Sequence, residues 1–129
     1  MSVKYQAWVA AASFVLAASP APAADGAVDT ARLLTYCEEA VKDTPDANAF
    51  RAGYCMAFVE GVLRGWEAGA YVRDAPVNYC MPAGTTLVQI VRAIVKSLRD
   101  NPAELRGRPE VSVISAVQKT YPCSAPRKP

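Results

Sequence analysis

Four cysteines, Cys37, Cys55, Cys80 and Cys123, carry the widest chemical range in this 129-residue chain, which contains no histidine. Cysteine can bind zinc, attack an electrophile as a thiolate, or join in pairs. Spacing separates these roles. The steps between successive cysteines are 18, 25 and 43 residues, with no Cys-x-x-Cys and no histidine to complete a ligand set. Zinc sites usually need such close pairs, so no metal or other cofactor is expected. An even count in an exported chain reads as two disulfides instead, which leaves no thiol nucleophile. The lack of histidine also removes Ser-His-Asp and Cys-His arrangements. Carboxylates remain as general acid–base candidates. Glu38 and Glu39 are adjacent and point in different directions on a helix, while Arg64 between Glu60 and Glu67 marks a salt-bridged surface. No glycine-rich phosphate loop follows a strand. The inventory is that of a binding protein with no catalytic residue, not of an enzyme.

Export is written at the amino terminus. Lys4 supplies a positive charge, Ala7 to Ala18 is an uncharged apolar run, and Ala21-Pro22-Ala23 is a small-x-small cleavage pattern. Spanning a bilayer takes about 20 apolar residues, and Pro20 and Pro22 interrupt this run early. The expected organisation is a cleaved signal peptide over residues 1–23 and one domain over 24–129, located in the periplasm. No cysteine stands near the cleavage site to carry a lipid. The formal charge is +2, and removal of Lys4 leaves +1. That balance gives no reason to expect nucleic acid as partner or membrane insertion of the mature chain. Arg127-Lys128 reads as a solvated end.

Four helices must position the cysteines, giving an all-α, disulfide-stapled domain. Asp29 or Thr30 can cap the first, with Leu33, Leu34, Cys37, Ala40 and Val41 on its apolar stripe and its end near Asp43. Thr44-Pro45 resembles the cap and first residue of a second, running from Pro45 to Tyr71. Cys37 lies seven residues before Thr44 and Cys55 eleven after it. In an antiparallel hairpin those positions share a height, which predicts Cys37–Cys55. After the Met81-Pro82-Ala83-Gly84 turn, Thr85 can cap a third helix carrying Leu87, Ile90, Val91, Ile94, Val95 and Leu98, which stops at Asn101-Pro102. A polar connection then leads to Pro109, which opens a fourth helix with Val113, Ile114, Val117 and Tyr121 inward and Pro122 at its end. Cys80 and Cys123 fall at the same end of this second hairpin, which predicts Cys80–Cys123. Each closure contributes about 3–4 kcal/mol on chain-entropy grounds.

The second helix carries Gly53, Ala57, Gly61, Gly65 and Gly69 every four residues, a ridge almost without side chains. Each interior glycine costs about 1 kcal/mol relative to alanine. Close approach of another helix would compensate, within the chain by preference or in a homodimer. Glu60, Arg64 and Glu67 exclude a membrane-spanning use of this spacing. Trp66 and the tyrosines read as core or interface anchors.

Leu33-Leu34-Thr35-Tyr36-Cys37, Cys55 to Val62, Cys80 to Val91, Leu98 to Pro102 and Tyr121-Pro122-Cys123 occur in this order. Together they resemble the Rap1a/Tai immunity proteins of type VI secretion, and Cys-x-Pro-x-Gly-x-Thr-x-x-Gln is the most specific piece. Met56-Ala57-Phe58 departs from the aromatic or tyrosine-isoleucine step often found after the second cysteine. The resemblance implies a small helical periplasmic protein that binds and occludes a wall-degrading peptidoglycan amidase. Toxin-gripping residues differ between cognate pairs and do not transfer.

The candidate partner-binding surfaces are the irregular segments. Tyr71 to Tyr79 carries Arg73, Asp74 and Asn78, and Arg99 to Arg108 carries Asp100, Glu104, Arg106 and Arg108. Exposed arginines are frequent interface anchors, which singles out Arg73 and Arg106. The rival classes are a periplasmic acid-stress chaperone and a subunit of an envelope complex. Without histidine, an acid trigger would have to be carboxylate protonation near pH 4.

Overall fold

Residues 28–124 are described by the computed structural model, so the export segment, its cleavage site and Arg127-Lys128 lie outside the described residues. Helix α1 spans Thr30–Ala40 and is capped by Asp29, whose carboxylate accepts the Arg32 N–H at 2.7 Å. Its end comes before Asp43. Glu39 bends the chain here, its carboxylate accepting from Lys42 Nζ at 2.8 Å and from the Asn48 N–H at 2.9 Å. Helix α2 spans Ala49–Val72 and therefore starts four residues after the expected Pro45. Thr44 is spent on a turn, its carbonyl accepting the Ala47 N–H at 3.3 Å, and Asn48 takes over as cap to the Arg51 N–H at 3.0 Å.

Helix α3, Leu87–Asp100, is capped by Thr86 and not by Thr85. Thr86 and Gln89 bond reciprocally: the Gln89 N–H donates to the Thr86 hydroxyl at 3.3 Å and the Thr86 N–H to Gln89 Oε1 at 2.8 Å. Thr85 instead donates its hydroxyl to the Pro82 carbonyl at 2.7 Å. The connection after Asn101 is a 3₁₀ helix over Pro102–Arg106, and helix α4 follows over Pro109–Thr120 with Tyr121 as its C-cap. Among the described residues there is no strand, and no helix is long and apolar enough to cross a membrane.

The four α-helices form two hairpins closed on one core. Leu33 from α1 and Val59 and Leu63 from α2 meet Ile90, Val91, Ile94, Val95 and Leu98 from α3 and Val113, Ile114 and Val117 from α4. Each such side chain contributes about 1.5–3 kcal/mol on burial. Cys37–Cys55 ties α1 to α2 inside this core, with both residues fully buried. Cys80–Cys123 closes the second hairpin at its open end, where both residues are exposed. Between the hairpins, the buried Thr30 hydroxyl donates to the Gly107 carbonyl at 2.7 Å.

The unequal burial of the two disulfides sets an order of reduction. Dithiothreitol added to the folded oxidised protein is expected to open Cys80–Cys123 first, with Cys37–Cys55 surviving until the protein unfolds. Alkylation and mass spectrometry over a time course checks this; simultaneous loss of both bonds would contradict it.

Candidate functional site

The glycine ridge on α2 is packed against no neighbouring helix. A Cβ built at Gly53, Gly61 or Gly65 meets no atom within 4 Å, and at Gly69 it meets only Arg73 Nη2, at 3.8 Å. The expected close packing of the ridge within the chain is thus overturned. Helix α2 is apolar on more than one side, and its Cys55, Val59 and Leu63 face takes the core. That leaves Gly53, Ala57, Gly61 and Gly65 exposed. Gly61, Gly65 and Gly69 together cost the helix about 3 kcal/mol relative to alanine, with no contact inside the chain in return.

Those three glycines form part of a groove of about 520 Å³ between α2 and α4. Val62 and Trp66 line it on the α2 side, and Val111, Ile114, Ser115 and Gln118 on the α4 side. Val111 keeps 57% of its surface exposed, unusual for a large aliphatic residue beside other apolar groups. Arg73 and Glu110 also border the groove. Glu110 is paired with Arg108. Its own backbone N–H, and then the Arg108 side chain, hold its carboxyl below the ordinary value. Arg73 has no ion-pair partner among the described residues. The signal that could have located the groove is the second stripe on α4, Val111, Ile114, Ser115 and Gln118 at i, i+3, i+4 and i+7.

The loop after α2 is held by backbone turns and two side-chain hydrogen bonds. Arg73 caps the helix, and the next two amides turn back: Asp74 N–H to the Tyr71 carbonyl at 3.2 Å and Ala75 N–H to the Ala70 carbonyl at 2.9 Å. This is a Schellman closure, with Asp74 holding φ 50° where glycine is usual. Asn78 is also left-handed at φ 63°. Two side chains of α2 tether the loop. Trp66 Nε1 donates to the Val77 carbonyl at 3.0 Å, and the Tyr79 hydroxyl donates to Glu67 Oε1 at 3.1 Å. Burial and then the Glu67 bond push the Tyr79 phenol up to about 12. Beside this loop, Tyr71 and Val72 stand 87% and 82% exposed.

Most carboxylates considered for chemistry are engaged in holding the scaffold. Glu38 pairs with Arg99 at 2.8 Å, Glu39 anchors the first turn, and Glu67 holds Tyr79 and lies 3.5 Å from Arg64. No metal-ligating cluster exists among the described residues. The segment after α3 is similarly internal: Asp100 pairs with Lys96 at 2.6 Å, Glu104 with Lys119 at 2.5 Å, and Arg108 with Glu110. Of the residues singled out in the sequence, Asp74 and Asn78 occupy turn-forming conformations. Arg73 lies at the groove, whereas Arg106 and Arg108 do not line it. Arg106, like Arg73, is exposed and lacks an ion pair among the described residues.

Comparison with protein families matches residues 29–123 to a family described as Rap1a immunity proteins. No curated protein and no solved structure matches the chain.

Two stability effects follow from this geometry. Gly65→Ala is expected to stabilise the protein by about 1 kcal/mol, because the added methyl improves helix propensity and meets nothing. Asp74→Gly is expected to add about 0.5–1 kcal/mol by relieving the left-handed position. Urea unfolding measures both, and a loss of stability in either variant would contradict the corresponding assignment. A third effect depends on pH. The fold favours the neutral Tyr79 phenol, so its contribution is complete below the unfolded value of about 10. It is lost as pH rises through about 12. Tyr79→Phe should remove this alkaline component from a stability–pH curve while leaving the curve near neutrality with the same slope.

Proposed function

The chain belongs to the Rap1a immunity protein family, and from that premise we propose that it binds and occludes a peptidoglycan amidase toxin in the periplasm. The observation that carries this reading is the family match across residues 29–123, which takes in all four helices and both disulfides. Two disulfides and an export-type amino-terminal sequence suit an oxidising compartment outside the cytoplasm. Type VI secretion is the delivery route that the sequence resemblance implies for the toxin.

The mechanism is steric. A body held by two covalent ties loses little conformational freedom on binding, so more of the contact energy appears as affinity. The last residues of α2 and the tethered loop after it, Tyr71 to Tyr79, offer Tyr71, Val72 and Arg73 as neighbouring exposed side chains. Seated against the substrate cleft of a hydrolase, this segment would exclude peptidoglycan without any chemistry of its own. Arg106 is the second candidate anchor, at the end of the 3₁₀ helix.

The mature oxidised protein, used as bait on a periplasmic extract at neutral pH, is expected to retain one peptidoglycan hydrolase in stoichiometric amount. Replacing Arg73 and Arg106 together by alanine should weaken that complex by on the order of tenfold or more, measured by calorimetry. Unchanged affinity would remove both residues from the interface. Retention of no hydrolase at neutral pH, with many unrelated proteins bound at pH 3, would replace the immunity reading with the acid-stress chaperone. A hydrophobic dye that stays dark down to pH 3 would exclude that chaperone.

A further inference from the structure

We infer that the groove between α2 and α4 is a docking site for an apolar segment of the toxin that carries a carboxylate, with the carboxylate facing Arg73. The inference rests on the immunity reading and assigns it a second contact, which adjoins the cleft-covering loop at Arg73 and extends along α2 and α4. Gly61, Gly65 and Gly69 leave helix backbone open along the groove, and Val62, Trp66, Val111 and Ile114 give it apolar surface. A side chain inserted there would lie against main chain on one side and against Trp66 and Ile114 around it. Apolar anchors seated in such recesses dominate the energetics of protein interfaces.

Charge decides what the occupant is. Among the residues lining the groove, Arg73 is the only cation and Glu110 the only carboxylate. Glu110 is already paired with Arg108, whereas Arg73 has no ion-pair partner among the described residues. In a two-fold pairing of this face with itself, Arg73 of one copy could meet only groups that the same face supplies. No uncommitted carboxylate lines it. A different protein, bringing its own carboxylate beside an apolar side chain, satisfies both features of the groove.

The experiment compares the mature oxidised protein with Gly65→Trp, Gly53→Trp and Arg73→Glu, using the periplasmic hydrolase retained by the unaltered protein. Gly65→Trp places an indole in the groove from a position whose Cβ meets nothing within 4 Å, while Gly53 shares the ridge but does not line the groove. Circular dichroism and urea unfolding confirm that each variant folds. Affinity is expected to fall on the order of 30-fold or more for Gly65→Trp and for Arg73→Glu, and to stay unchanged for Gly53→Trp. A charge-reversing substitution of an acidic residue on the hydrolase should restore binding to Arg73→Glu. Full affinity in a folded Gly65→Trp protein overturns the groove assignment and leaves the immunity reading standing. Failure of the unaltered protein to retain any hydrolase overturns both. A dimer of the unaltered protein that Gly65→Trp converts to monomer, seen by sedimentation, overturns the toxin as occupant in favour of a second copy.

Discussion

The buried crosslink between Cys37 and Cys55 is the constraint on which the arrangement of α2 depends. It fixes the height of α2 against α1 and places its Val59 and Leu63 face on the core. The opposite side of a 24-residue helix is then free of any internal packing duty. A helix held only by its apolar face would gain from a broad, well-filled contact on every side available. Anchored covalently from within, α2 can leave its glycine ridge bare and still hold its position.

The far end of α2 repeats this division of labour with weaker forces. Trp66 and Glu67 lie on successive positions and reach two points of the same loop, Val77 and Tyr79. Cys80 follows at once, bonded to Cys123, and its N–H donates to the Tyr121 carbonyl at 2.8 Å. The loop is therefore fixed at both ends and along its length, although it has no regular structure. Its exposed side chains carry almost none of these bonds. Residues that hold the shape and residues that face outward are separate sets, so the outward set can change with little consequence for folding.

Much of this architecture is legible in the sequence because it depends on local chemistry. The helical stripe of α3, with Ile90, Val91, Ile94, Val95 and Leu98, is buried as its spacing predicts. The cysteine pairs follow from helix heights once the hairpins are recognised. Errors arise where two local signals compete. Thr44-Pro45 has good cap chemistry, but the Glu39 carboxylate captures the Asn48 N–H and moves the start of α2. Thr85 and Thr86 are equivalent as letters, and only Thr86 stands three residues before Gln89. The groove is legible only in part, through the second stripe of α4. Glycine spacing reveals a smooth face without saying whether anything lies against it, and that depends on where α4 comes to rest.

The bare ridge also has an evolutionary consequence. Almost any codon change at Gly61 or Gly65 introduces a residue that favours the helix and whose Cβ meets nothing within 4 Å. Mutational drift at these positions therefore runs towards a more stable protein with a filled groove. This surface would decay by gaining stability. Selection on folding alone would close the groove, and only selection on what enters it would keep it open.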